Sequence, residues 1–231
     1  MSRFFLRPGE SLNHGAEVVA SCFQMREDEL RQQVYGRENE RKFYTVDLIR
    51  GVLEEVVLND QACGKRLVDA FSRMMAVDSL LGLNDRHPQN WGVIFHTIKT
   101  SVPPRFAPLF DSARGLFWNV PDNRFKEWER SGTRKKNIES YSRRSTPLIG
   151  IDGQSDPNHF DVIDYMVNLA PGDHFARSVR SVIQAFPIKT IRDLLDSVAS
   201  DYFSPLRLGY IAELLELRYH TLSKICKINI V

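Results

Sequence analysis

Cysteine is scarce in this 231-residue chain. Cys22, Cys63 and Cys226 are odd in number and far apart, with no Cys-x-x-Cys pair, so neither a disulfide framework nor a zinc site is indicated by spacing. A reducing compartment, the cytoplasm, is the expected location. No stretch approaches the roughly 20 apolar residues of a membrane span, and the first residues lack the apolar core of a signal peptide. Charge of one sign is also lacking: 31 basic against 29 acidic residues leave a net +2, which argues against direct nucleic-acid binding. Internal repeats and low-complexity tracts are missing. Glycines upstream of Asn84 are single and widely separated: Gly9, Gly15, Gly36, Gly51, Gly64 and Gly82.

What is present is a sizeable apolar fraction, 42%, enough for a chain of this length to bury about 70% of its unfolded surface. Helical periodicity runs through Ala16 to Val34, Val46 to Asn59 and Lys65 to Leu83. In the third segment Leu67, Phe71, Met74, Met75, Asp78, Leu80 and Leu81 make one mostly apolar face, and the chain leaves it at Asn84. Helices return after Asn158, at His159 to Leu169, Asp173 to Phe186, Thr190 to Ser200 and Pro205 to Ser223. Asn158 with Asp161 resembles a capping box, and Ser204-Pro205 is a cap followed by proline at the first helical position.

Between these helical halves lies the most distinctive stretch. Leu83-Asn84-Asp85-Arg86-His87-Pro88-Gln89-Asn90 is polar and carries a proline, so it reads as a loop, whereas Trp91 to Phe95 is apolar and suited to a strand. A second apolar run, Phe106 to Phe110, places Asp111 at its exit. Two strands joined by His96 to Arg105 would bring Asn90 and Asp111 to the same end of a small hairpin. An acid, an amide five residues on and a second acid about 20 residues beyond are the parts of a phosphoryl-transfer site. Asp85 offers a proton acceptor for a hydroxyl nucleophile, while Asn90 and Asp111 offer the hard oxygen donors that magnesium takes alongside phosphate.

On these residues the chain resembles the C-terminal lobe of the HipA-like kinases. Members have an Asp-x-His-x-x-Asn loop before a strand and a later Ala-Pro-Leu-aromatic-Asp segment; the counterparts are Asp85, His87, Asn90 and Ala107-Pro108-Leu109-Phe110-Asp111. The DRHxxN string is also close to the phosphatidylinositol 3- and 4-kinase catalytic loop. The resemblance implies a mainly α, α+β fold: a helical bundle with a small β-hairpin carrying the catalytic loop. It implies ATP and Mg2+ as cofactors, Asp85 as base, His87 supporting the loop or the transferring phosphate, and Asn90 and Asp111 as metal ligands. The expected substrate is a protein Ser or Thr hydroxyl. A lipid hydroxyl, or a binding module without catalysis, is the alternative.

Two departures from the family bear on that expectation. Ser112-Ala113-Arg114 follows Asp111 in place of the Phe-Gly of ordinary protein kinases. Upstream there is no glycine-rich phosphate loop and no Val-Ala-Ile-Lys strand. The expected organisation is therefore a hinge-like segment over residues 1–15 and a C-lobe-like helical domain over 16–231, its catalytic and metal-binding segment at 83–111. A separate N-lobe or an antitoxin-like regulator is the expected partner. The extended run Arg3 to Gly9 is taken as the hinge, which makes Phe5 a nucleotide contact. Residues 120–153 are polar and basic and are expected to form an activation-segment-like loop, with Trp118 and Trp128 packing rather than stacking on bases. Arg86 and Arg114 flank the acids and could contact phosphate through a planar fork, with structural ion pairs to nearby acids the favoured reading, and His14, His96, His159, His174 and His220 are read as structural, because none has a metal-ligand partner at ligand spacing.

Overall fold

The computed structural model describes residues 5–57, 60–99, 101–154, 156–168, 174–199 and 201–228. Among them the order is β1 (Glu10–His14), α1 (Gly15–Cys22), α2 (Glu27–Gln33), α3 (Arg37–Phe43), α4 (Val46–Glu55), α5 (Gln61–Leu81), β2 (Gly92–His96), β3 (Arg105–Phe106), α6 (Asp122–Arg130), α7 (Arg134–Arg144), α8 (His159–Asn168), α9 (His174–Ala185), α10 (Ile188–Leu194), a π-helical turn (Leu195–Ala199) and α11 (Pro205–Ile225). The fold is mostly helical with one small antiparallel sheet, as expected. The chain forms two compact units.

The first unit comprises Met1–Met74, Asp85–Ser112 and Leu148–Pro157. Its sheet has the order β1-β2-β3, both pairings antiparallel. Register sets Val93 against Phe106 and His14 against Gly92, and the Ala107 N–H donates to the Gly92 carbonyl at 2.9 Å. The predicted second strand, Phe106 to Phe110, is thus shifted and shortened to two residues, because Pro108 has no N–H for a ladder. The first strand was not foreseen. The extended run placed at Arg3 to Gly9 starts outside the described residues, and its Pro8-Gly9 is a turn that leads into β1 instead.

Two glycines permit close approaches here. A Cβ on Gly15 would lie 2.3 Å from the Trp91 indole, and one on Gly92 would lie 2.4 Å from the Asn13 carbonyl oxygen. Trp91 is 1% exposed and stacks on Phe106 at 5.9 Å while meeting Phe71 of α5 edge-on. Trp91, at the entry to β2, is therefore held by aromatic packing against both α5 and β3.

The helix expected over Ala16 to Val34 is broken into α1 and α2. Gln24 takes φ +53°, and Arg26 opens a new helix whose third residue, Glu29, accepts from the Arg26 N–H at 3.3 Å. A left-handed residue cannot continue a right-handed helix, whatever the apolar spacing says. The α5 helix begins four residues before its predicted start, because Asp60 caps it by accepting from the Cys63 N–H at 2.9 Å. The predicted end of the preceding helix, Leu58-Asn59, lies outside the described residues.

The second unit comprises Met75–Asn84, Ala113–Pro147 and Asn158–Val231. Residues 120–153 are not the expected open loop, since α6 and α7 occupy most of them. Sparse apolar residues at helical spacing account for this: Phe125 with Trp128, and Ile138 with Tyr141. Phe125, Trp128 and Tyr141 gather with Phe117 and Tyr210 into one aromatic cluster, with Phe117–Tyr141 centroids 4.3 Å apart and Phe125–Tyr210 4.5 Å. Burial pushes the Tyr210 hydroxyl up to about 12. Trp118, expected to pack, is instead 48% exposed with the Arg114 guanidinium over its ring at 5.4 Å.

Both expected caps are present. Asn158 Oδ1 accepts from the Phe160 N–H at 2.7 Å while its own N–H donates to Asp161 at 2.9 Å, and Ser204 Oγ accepts from the Arg207 N–H at 3.3 Å. Ser204 also donates to Asp122 at 2.8 Å, and with Arg207 it holds that carboxyl below its ordinary range. The expected helix ends at Leu169 and Ser200 and the expected start at Asp173 lie outside the described residues. Before Ser200 the α-helix gives way to the π-helical turn.

Candidate active site

Asp85, Arg86, His87, Asn90 and Asp111 all lie in the first unit. The 85–91 loop rests on the start of α1, whose first N–H groups have no partner within their own helix. Gly15 N–H donates to the Trp91 carbonyl at 2.9 Å and Ala16 N–H to the Pro88 carbonyl at 3.2 Å. The Gln89 side chain donates to Glu27 of α2 at 2.9 Å. The loop is thereby held by main-chain groups on one side and an amide–carboxylate bond on the other.

Inside the loop, Asn90 N–H donates to the His87 carbonyl at 2.8 Å, and the Asn90 side-chain amide donates to the Asp85 carbonyl at 2.6 Å. With its nitrogen so engaged, the amide of this buried side chain has its oxygen left to present. His87 Nδ1 accepts from the Gln89 N–H at 3.2 Å, so the imidazole is tied into the loop. Asp85 is half-buried and Asp111 exposed.

Arg86 joins the two chemical segments. It is 1% exposed, and it donates to the carbonyls of Asn90 and Phe110, the latter at 3.1 Å, and to Ser112 Oγ at 3.1 Å. One guanidinium thus binds the residue before Asp111 and the residue after it. Asp111 itself has φ +49°, a conformation that Asp tolerates better than most residues but that is still strained. Strain of this kind persists where the surroundings over-determine it, and here Arg86 brackets it on both sides.

Two more residues approach the same place. Phe5 stacks on Phe110 with centroids 5.7 Å apart, and its carbonyl accepts from Arg105 at 3.1 Å. His14 faces the loop: Nδ1 is 2.8 Å from the Gln89 carbonyl, so that nitrogen carries the proton, and the ring meets Phe110 edge-on at 5.9 Å. Sequence reading assigned His14 no place at the site. A lone histidine 75 residues upstream gave no signal, since the antiparallel register of β1 on β2 is what carries it there.

Glu10, at the start of β1, pairs with Arg105 of β3 at 2.8 Å. That hydrogen bond and the Arg7 N–H hold its carboxyl at about 2. The ion pair links the two outer strands across β2 and steadies the sheet from which the 85–91 loop and the Asp111 segment both emerge.

The donors present suit a hard divalent cation. Asn90 offers an oriented amide oxygen and Asp111 an exposed carboxylate, while no group of three or more His, Cys, Asp or Glu side chains suited to a metal occurs among the described residues. That donor set fits an ion that keeps waters and phosphate oxygens, as magnesium does.

No protein-family profile and no curated protein matches the sequence. Among solved structures, the Helicobacter pylori proinflammatory kinase CtkA matches with TM-score 0.73 at 14% identity, over 96% of this chain and 72% of that one. The likeness establishes a kinase-like fold. Among the described residues, no helix is long and apolar enough to cross a membrane.

Proposed function

We propose that the chain is a HipA-like phosphotransferase that uses ATP and Mg2+ to phosphorylate a Ser or Thr hydroxyl of a protein. One observation carries the reading: buried Arg86 binds the main chain at Asn90 and on both sides of Asp111, holding together the two segments that a kinase needs side by side. The fold shared with CtkA supports the same class.

Asn90 Oδ1 and the Asp111 carboxylate would hold the metal. When bound, the magnesium nucleotide supplies the phosphoryl group and the cation that screens its charge. Asp85 accepts the proton of the substrate hydroxyl, a contribution of roughly 10²- to 10⁴-fold. His87 keeps the loop in shape through the Gln89 N–H, and Phe5, stacked on Phe110, offers an aromatic surface to the nucleotide.

Asp85→Asn separates these roles, because it keeps the shape of the side chain and removes the proton acceptor. In a radiolabelled phosphate-transfer assay the variant should lose at least about 10²-fold in rate while magnesium ATP still raises its melting temperature. Equal transfer by wild type and variant would contradict the role of Asp85.

A further inference from the structure

Asn90 and Asp111, the two groups proposed to share the metal, are each preceded by a residue that meets the same imidazole. His14 Nδ1 donates to the Gln89 carbonyl at 2.8 Å, and its ring meets the Phe110 ring edge-on with centroids 5.9 Å apart. Arg86 already ties the two segments through their main chain and Ser112. His14 is a second tie between them, made by a different group.

The bond to Gln89 bears directly on Asn90, because the Gln89 carbonyl and the Asn90 N–H belong to one planar peptide unit. Both ends of that unit are held: the carbonyl by His14, and the N–H by the His87 carbonyl at 2.8 Å. A peptide plane gripped at one end can still rock about the line between its Cα atoms, and the second grip removes that freedom. The tilt of the plane sets how the Asn90 side chain leaves the backbone, and so where its amide oxygen lies.

The imidazole itself is carried by a well-fixed stretch of chain. His14 pairs with Gly92 in the β1–β2 ladder, its N–H donates to the Glu17 carboxylate at 2.6 Å, and Gly15 and Ala16 donate to the carbonyls of Trp91 and Pro88. These are main-chain donors, so a change of the His14 side chain leaves them in place.

We infer that His14 is a positioning residue of the proposed phosphotransferase site: its Nδ1–H fixes the Gln89–Asn90 peptide and its ring edge steadies Phe110, so that Asn90 and Asp111 are presented to one cation. This role rests on the reading of Asn90 and Asp111 as metal ligands. His14 acts through Gln89 and Phe110 and is not a ligand. Groups that orient ligands from behind are worth about 10- to 100-fold in metal affinity.

Three substitutions at this half-buried position test the role in the full chain. His14→Asn puts an amide N–H where Nδ1 stands, His14→Gln puts one at the place of Nε2, and His14→Leu keeps bulk without a donor. Without metal, hydrogen exchange of the Asn90 backbone N–H, followed by NMR, should quicken up to about tenfold in His14→Leu and His14→Gln, the value of roughly one hydrogen bond, and return toward wild type in His14→Asn. With ATP, the manganese concentration that half-broadens the Asp111 backbone N–H should rise about tenfold or more in the same two variants, again with recovery in His14→Asn. Equal manganese affinity in wild type and His14→Leu, a loss that His14→Asn fails to recover, or unchanged exchange at Asn90 would overturn the role of His14 and leave the metal ligands standing. A loss confined to urea stability would make His14 structural only. Wild-type protein in which manganese broadens neither Asn90 nor Asp111 would remove the ligands themselves, and the role of His14 with them.

Discussion

Arg86 in the first unit and Arg218 in the second are both buried, at 1% and 0% exposure, and both donate to main-chain carbonyls of segments far apart in sequence. Arg86 binds Asn90 and Phe110; Arg218 binds Ser79 and Ser142, each at 2.6 Å, with Phe160 against the guanidinium at 4.7 Å. The difference lies in what each one holds. Around Arg86 the segments open outward to exposed Asp111 and Ser112, whereas Ser79 and Ser142 are themselves buried and one Arg218 nitrogen has no hydrogen-bond partner. Burial pushes Arg218 down to about 9, still cationic at neutral pH. The same device makes the edge of a site in one unit and an interior joint in the other.

The contrast is broken most severely at the interior joint. Arg218→Ala should cost about 3–5 kcal/mol, because it leaves two buried carbonyls without a donor and opens a cavity. Urea unfolding reads the loss, and a change below about 1 kcal/mol would mean that water replaces the guanidinium readily. Arg86→Ala should cost less, roughly 2–4 kcal/mol, from the carbonyls of Asn90 and Phe110. It should also abolish the rise in melting temperature with magnesium ATP, which Arg218→Ala should retain at a lower baseline.

Smaller effects sharpen the comparison. At φ +49°, Asp111→Gly should leave stability within about 0.5 kcal/mol of wild type, while Asp111→Ala should lose about 1 kcal/mol, since Ala tolerates the left-handed region less well. Both should lose nucleotide-linked stabilisation, so ligand binding and stability would part company at this residue. The smallest effect concerns Glu10. Its folded pKa of about 2 lies below the ordinary 4.5, so its contribution is complete above that ordinary value and is lost as pH falls toward 2. Urea midpoints measured from pH 5 to 2 should fall further in wild type than in Glu10→Gln, and parallel curves would remove the Glu10–Arg105 pair from the account.

The candidate residues of the first unit, Asp85, Asn90 and Asp111, could be picked out of the sequence because they lie at separations set by one loop and one hairpin. Arg86 and His14 show where that stops. Arg86 was read as an ion-pair former, since nothing local says that its fork reaches the Phe110 carbonyl and Ser112 Oγ; that requires the β2–β3 register. His14 depends on β1, whose Glu10–His14 lacks the apolar alternation of a strand and is held by its neighbour. In the second unit the caps at Asn158 and Ser204 were readable as local chemistry. Helices α6 and α7 were not, because seven exposed cations over Arg124 to Arg144 obscure the few aromatic residues that bury them. The π-helical turn has no sequence signature that periodicity detects.

The central claim is that Asn90 and Asp111 share one bound cation, and manganese substituted for magnesium tests it most directly. In an NMR spectrum of the full chain with ATP, manganese should broaden the Asn90 side-chain NH2 and the Asp111 backbone N–H first and most strongly, and Asp111→Asn should shift the broadening to higher metal concentration. Broadening that leaves both signals sharp while erasing others would contradict the account.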